Sequence, residues 1–183
     1  CGSQDQILAS YGGFNIINFK KNGTFNVNKL DRTKHNIKTL DQNMFLVYTG
    51  ISRFSNDIEK DKIKNLDKNF NHLDKIKSIT NLFIKNLNNG ITIDHCADLM
   101  NEYWNIKKLL SQKVTNPYIN ELYQEGINNG AIGGKIIGSG GGGFLLFCCK
   151  KNKQSKFFKG FRKLPIIKFN FTETGSEIIF KNI

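Results

Sequence analysis

The sequence has 183 residues, of which 39% are hydrophobic and 11% aromatic, enough for one good core or for one domain with part of another, and too apolar for a disordered chain. No window approaches the roughly 18 consecutive apolar residues of a membrane span, because Lys and Asn interrupt every hydrophobic stretch. The formal charge of +12 would admit a nucleic-acid partner, but it is almost all Lys, with Arg only at 32, 53 and 162, and is spread along the chain in company with Asn and Ile. Compositional drift explains that pattern better than a polyanion-binding face, and a modest positive field also suits phosphorylated substrates. The expectation is a soluble protein without a nucleic-acid or membrane partner.

In chain order, the segment from Gly2 carries Gln4, Asp5 and Gln6 at the start of a helix. The opening at Cys1, without Met, charged leader or apolar run, is expected to be a cut through a longer protein. Residues 14–19 and 24–30 are short β-prone runs around Lys20-Lys21-Asn22-Gly23 and read as a hairpin. The polar stretch 31–43 reads as a domain junction, and Met44-Phe45-Leu46-Val47-Tyr48 as a buried strand ending at Thr49-Gly50. From Ser52 to about Asn89 the apolar spacing predicts one helix, through Phe70, Leu73, Ile76, Ile79, Phe83 and Leu87, closed by Gly90. Thr92 caps the next, whose apolar face runs through Ile93, Ala97, Met100 and Trp104. Asn116 as N-cap, Pro117 at the first helical position and Gly130 past the end mark a third. A loop from Ala131 through the glycines of 138–143 then leads into the apolar strand 144–149. A basic helix near 152–162, a strand at 166–171 and a turn at 173–175 before Ser176–Phe180 complete the chain. Interleaved strands and helices with at least two antiparallel pairs predict an α+β layer, helices on one face of a sheet.

Two places could carry chemistry. Gly138, Ser139, Gly140, Gly141, Gly142 and Gly143 lie between hydrophobic strands, which anchor them as a tight ordered loop rather than a linker. Glycine lets backbone N–H groups approach an anion, so the loop could contact phosphate; a crowded turn whose glycines only permit close packing is the other reading. It is neither a Walker A loop nor a dinucleotide fingerprint. Asp5, between two amides at a helix N-terminus, could orient a hydroxyl proton or could simply cap the helix. His35, His72 and His95 are isolated and lack metal-site spacing, and Trp104 and the Phe residues sit at core periodicity. Cys1, Cys96, Cys148 and Cys149 show no disulfide framework, which fits a reducing cytoplasm.

Taken together, Cys-Gly-Ser-Gln-Asp-Gln at 1–6, Tyr-Gly-Gly-Phe-Asn at 11–15, Tyr-Thr-Gly-Ile-Ser-Arg at 48–53, Asn-Pro at 116–117 and Gly-Gly-Lys-Ile-Ile-Gly-Ser-Gly-Gly-Gly-Gly-Phe-Leu-Leu-Phe at 133–147 resemble, in that order, the second half of sugar kinases of the GHMP superfamily, most of all the heptose 7-phosphate kinases. The resemblance implies a ferredoxin-like C-terminal domain at 41–183, preceded at 1–40 by the end of the N-terminal, ATP-binding domain. It implies ATP and Mg2+ as cofactors, a sugar phosphate as substrate, and leaves a homodimer open. It implies that Asp5 is the catalytic carboxylate, that 138–143 lies beside the phosphate site, and that Tyr11, Gly12 and Gly13 line the sugar pocket. Arg53 is then a candidate partner for the sugar's own phosphate, since guanidinium matches phosphate oxygens. Ser139 stands where such kinases more often carry Ala, and the N-terminal phosphate-binding loop of the superfamily is not in this sequence. The alternatives are a related fucose or galactose kinase, or a non-catalytic basic binding domain.

Overall fold

The computed structural model describes residues 3–31, 37–52 and 56–180. Helix α1 (Gln4–Tyr11) is followed by the expected hairpin, β1 (Phe14–Phe19) against β2 (Phe25–Leu30), antiparallel from Phe14 opposite Leu30 to Phe19 opposite Phe25. Asn22 makes the turn, its side-chain oxygen accepting from both the amide and the hydroxyl of Thr24 at 3.1 and 2.8 Å. The polar stretch 31–43 contains helix α2 (Ile37–Asn43), in which Ile37 and Leu40, three apart, are both buried.

Strand β3 (Met44–Tyr48) is as predicted. The single helix expected over 52–89 is two, α3 (Asn56–Lys64) and α4 (Leu66–Asn88), interrupted at Asn65. The Asn65 amide side chain donates to the Asp61 carbonyl at 2.8 Å, a local bond that competes with the helical ladder. Helices α5 (Ile93–Lys107) and α6 (Pro117–Asn128) start where the capping signals put them: the Thr92 hydroxyl accepts from the His95 amide, and the Asn116 side chain from the Ile119 amide.

Strands β4 (Gly133–Ile136) and β5 (Phe144–Cys148) flank the glycine-rich loop, and helix α7 (Gln154–Gly160) leads to β6 (Ile166–Lys168). The sheet is antiparallel in the order β4-β5-β3-β6. The α+β expectation holds, but β6 stops earlier than 171. Its continuation leaves the sheet so that Phe171 can donate its amide to Asp41 at 3.0 Å and set its ring edge-on to Phe14.

Alternation along the strands divides the core in two. Phe45, Val47, Leu145, Phe147 and Cys149 join Trp104, Ile119, Leu122 and Phe157, whereas Met44 and Cys148 join Leu40, Leu87, Cys96 and Met100. Both faces of the sheet are therefore buried against helices, rather than the one face expected, and the adjacent thiols of Cys148 and Cys149 fall in different clusters as their strand geometry requires. No helix among the described residues is long and apolar enough to cross a membrane.

Gly126 of α6 lies against the Phe147 ring, where an added Cβ would come within 2.4 Å of a ring carbon. At an open helical site Gly→Ala stabilises by about 1 kcal/mol. Gly126→Ala should instead lower stability by about 1–3 kcal/mol through overpacking, seen as a lower urea midpoint; a raised midpoint would refute this packing.

Candidate active site

The glycine-rich loop is fixed by hydrogen bonds at both flanks. The Ile137 amide donates to Phe144 at 2.9 Å to close the hairpin, the Gly141 amide to Val114 at 2.7 Å and the Gly143 amide to Ile51 at 2.9 Å. The Gly143 carbonyl accepts from both the amide and the hydroxyl of Thr49, each at 2.9 Å, and Thr49 is fully buried. Gly140 has φ of 107° and its Cβ would meet the Val114 carbonyl at 2.7 Å, so only glycine fits there. The two readings left open from the sequence are thus compatible: the glycines permit close packing, and the packing holds the backbone in one shape.

That backbone borders a cavity of about 700 Å³, to which Gly138, Ser139, Gly140, Gly142 and Gly143 contribute. Gln4 and Asp5 line the same cavity, so the structure brings the first turn of α1 and a loop more than 130 residues later to one space. Asp5 is exposed and accepts from the Gln4 amide side chain at 3.4 Å; a carboxylate in the first turn also sits at the positive end of the helix dipole.

Sequence reasoning did not single out the cations of the cavity. Lys107, in the last turn of α5, is 4% exposed and donates to the carbonyls of Ile136 at 3.4 Å and Gly138 at 2.5 Å. Lys62 of α3 donates to the Ser139 carbonyl at 3.0 Å and pairs with Glu59 at 2.8 Å. Two ammonium groups thus hold successive carbonyls at the entry to the loop. Burial pushes the Lys107 ammonium down to about 7, helped by the like charges of Lys135 and Lys62 and opposed by Glu59 and Asp5. Burial also lowers Lys135, whose ammonium lies 4.3 Å from the centre of the Tyr103 ring, and it raises the Tyr103 phenol, with Glu59 adding to the rise. A signal for Lys107 did exist: it follows Trp104 by three on the face predicted to be buried, where a lysine needs acceptors.

Tyr11, Gly12 and Gly13 are not on the walls of this cavity. They lie at and beyond the far end of α1, Tyr11 being six residues or roughly 9 Å along the axis from Asp5. There Gly13 donates its amide to Thr172 at 2.8 Å, Gly12 packs on the backbone of Thr174 and Gly175, and Tyr11 is largely exposed. Arg53 falls outside the described residues.

Comparison with known proteins places this geometry. Residues 83–164 match the family described as GHMP kinases C terminal. The D-glycero-alpha-D-manno-heptose 7-phosphate kinase of Campylobacter jejuni is 32% identical over 178 residues, covering 95% of this chain and 52% of that protein. Among solved structures, a D-glycero-D-manno-heptose 1-phosphate kinase from Bacteriodes thetaiotaomicron superposes with a TM-score of 0.67 at 23% identity, over 96% of this chain and 47% of that one. The mevalonate kinase of L. major, in complex with R-mevalonate, superposes with a TM-score of 0.70 at 20% identity, over 94% of this chain and 53% of that one. These two likenesses establish the fold. The chain spans about half the length of the relatives it matches.

The buried lysine also sets a pH dependence of stability. Unfolded, Lys107 stays charged until about pH 10.4; folded, it loses its proton above about 7. Between those limits the unfolded chain binds more protons, so this residue's penalty is full below pH 7 and is relieved as pH rises, by up to about 1.4 kcal/mol per unit. Lys107→Met should gain most over the parent at pH 6, with the gap narrowing by pH 9 in guanidinium unfolding. A gap independent of pH would contradict the assignment.

Proposed function

We propose, from the match of residues 83–164 to the family described as GHMP kinases C terminal, that the protein is a sugar kinase that transfers the γ-phosphoryl group of ATP to the anomeric hydroxyl of a heptose 7-phosphate. In this reading residues 1–40 end the ATP-binding half, residues 41–183 form the second half, and the reaction takes place in the cavity shared by Asp5 and the glycine-rich loop. The observation that supports it most is that shared cavity. The 32% identity to the Campylobacter heptose 7-phosphate kinase favours a heptose phosphate over fucose or galactose as acceptor.

The chemistry asks little covalent work of the protein. Phosphoryl transfer passes through a loose transition state, so catalysis is alignment of attacking and leaving oxygens together with neutralisation of charge. Asp5 accepts or orients the proton of the acceptor hydroxyl. The loop, held at Val114, Ile51 and Thr49, presents backbone to the phosphate without having to reorganise. Arg53 is assigned to the acceptor's distal phosphate. Magnesium supplies charge neutralisation across the nucleotide phosphates when bound. Among the described residues no group of three or more His, Cys, Asp or Glu converges, so these residues do not form a cage for it.

The test is kinetic, on the protein carrying both halves. Asp5→Asn should lower kcat by about 100-fold or more with a small change in KM. Wild-type protein should prefer heptose 7-phosphate to the unphosphorylated sugar, to fucose and to galactose, and the 183 residues alone should transfer no phosphate. A near-normal rate for Asp5→Asn removes Asp5 from the mechanism, and indifference to the distal phosphate moves the protein to another sugar 1-kinase class.

A further inference from the structure

Lys107 is placed where a substrate phosphate could use it. Its nitrogen reaches the carbonyls of Ile136 and Gly138, the last residue of β4 and the first glycine of the loop, and the same side chain lines the cavity. A neutral amine has two hydrogens and one lone pair, whereas an ammonium has three hydrogens. The two carbonyls can thus keep their donors in either form, and what changes on protonation is the third position.

The surroundings make the proton easy to lose and easy to regain. Facing Lys107 are Lys135 on β4, Lys62 and Glu59 on α3, Asp5 on α1, and the Tyr103 ring at 5.6 Å on its own helix. Glu59 is paired to Lys62, and among the described residues no ion pair neutralises Lys107. Burial beside two other lysines brings it to about 7. An anion within hydrogen-bond reach acts in the opposite sense, since it favours the charged form. A phosphate fits this need because it offers several strong acceptor oxygens and carries the charge that the lysines lack.

We propose that Lys107 is a direct phosphate contact of this cavity and takes up one proton as the anion enters, its third N–H then meeting a phosphoryl oxygen while the other two stay on the loop carbonyls. This rests on the reading of the cavity as a phosphoryl-transfer site. The proton comes from solvent or buffer onto the amine lone pair, and no covalent bond of the anion is made or broken. Phosphate affinity is thereby linked to pH through a residue of the loop's own anchor, distinct from the carboxylate assigned to the acceptor hydroxyl.

The experiment is calorimetric titration of the full chain with inorganic pyrophosphate at pH 8 in two buffers of different ionisation enthalpy, repeated at pH 6. Wild type should take up close to one proton more per bound anion than Lys107→Arg at pH 8, and no more than it at pH 6, since arginine stays charged throughout. Lys107→Met should bind at least tenfold more weakly. Equal proton uptake by wild type and Lys107→Arg, with binding intact, overturns the role of Lys107 and leaves the phosphate cavity standing; absence of pyrophosphate binding by wild type overturns both. Because a buried substitution can impair folding, the wild-type protein labelled with 13C at lysine Cε supplies an independent readout. One resonance should titrate near pH 7 in the free protein and move up by at least one unit with pyrophosphate; if all lysines titrate near their ordinary range without ligand, the proposal falls.

Discussion

The glycine-rich loop must reverse the chain between β4 and β5 while its outer side presses on the backbone of two other segments, and the remainder of the site is arranged around that constraint. An added Cβ at Gly140 would strike the Val114 carbonyl and one at Gly142 the Ile51 carbonyl, each at 2.7 Å, so the loop can take few shapes. Hydrogen bonds from Gly141 and Gly143 to those same two residues select one. The lysines then act on the orientation of single peptide units. In a trans peptide the carbonyl and the following N–H point in opposite directions. With the Gly138 carbonyl drawn to Lys107 and the Ser139 carbonyl to Lys62, the amides of Ser139 and Gly140 are turned away from the cations. A backbone held this way can meet an anion without the cost of reorganising, which is where most of the advantage of electrostatic catalysis lies.

Much of this was legible where the signal is local. The hairpin at 14–30 follows from alternation and one Asn-Gly turn, and the helix starts at Thr92 and Asn116 from side chains that satisfy open amides. The ordering of 138–143 was legible because apolar strands on both sides leave a glycine run no freedom to act as a linker. What failed depends on contacts distant in sequence. Helix α2 lay hidden in a polar stretch because only Ile37 and Leu40 face the core. The interruption at Asn65 and the early end of β6 are set by particular hydrogen bonds, from the Asn65 side chain to Asp61 and from the Phe171 amide to Asp41, which no periodicity reveals. Lys62 and Lys107 were lost among 27 basic residues, since composition cannot tell a solvated lysine from one that ends on a carbonyl.

The position of Asp5 is a tertiary matter even though its helix is local. Helix α1 has one buried side chain, Ile7, and Ser3 does not cap its first turn with a side-chain hydrogen bond, so eight residues of modest amphipathicity would not hold their place unaided. The segment 172–176 supplies the missing support. The Ser176 amide donates to Ala9 at 3.0 Å, the Gly13 amide donates to Thr172, and Gly12 allows the Thr174–Gly175 backbone to lie where a Cβ would sit 2.1 Å from a carbonyl carbon. Tyr11-Gly12-Gly13, for which the resemblance implied a sugar-pocket lining, makes this joint. The pair of glycines lets the end of the chain dock against the C-terminus of α1. Through the helix that docking holds the turn that carries Asp5, which lines one cavity with the loop.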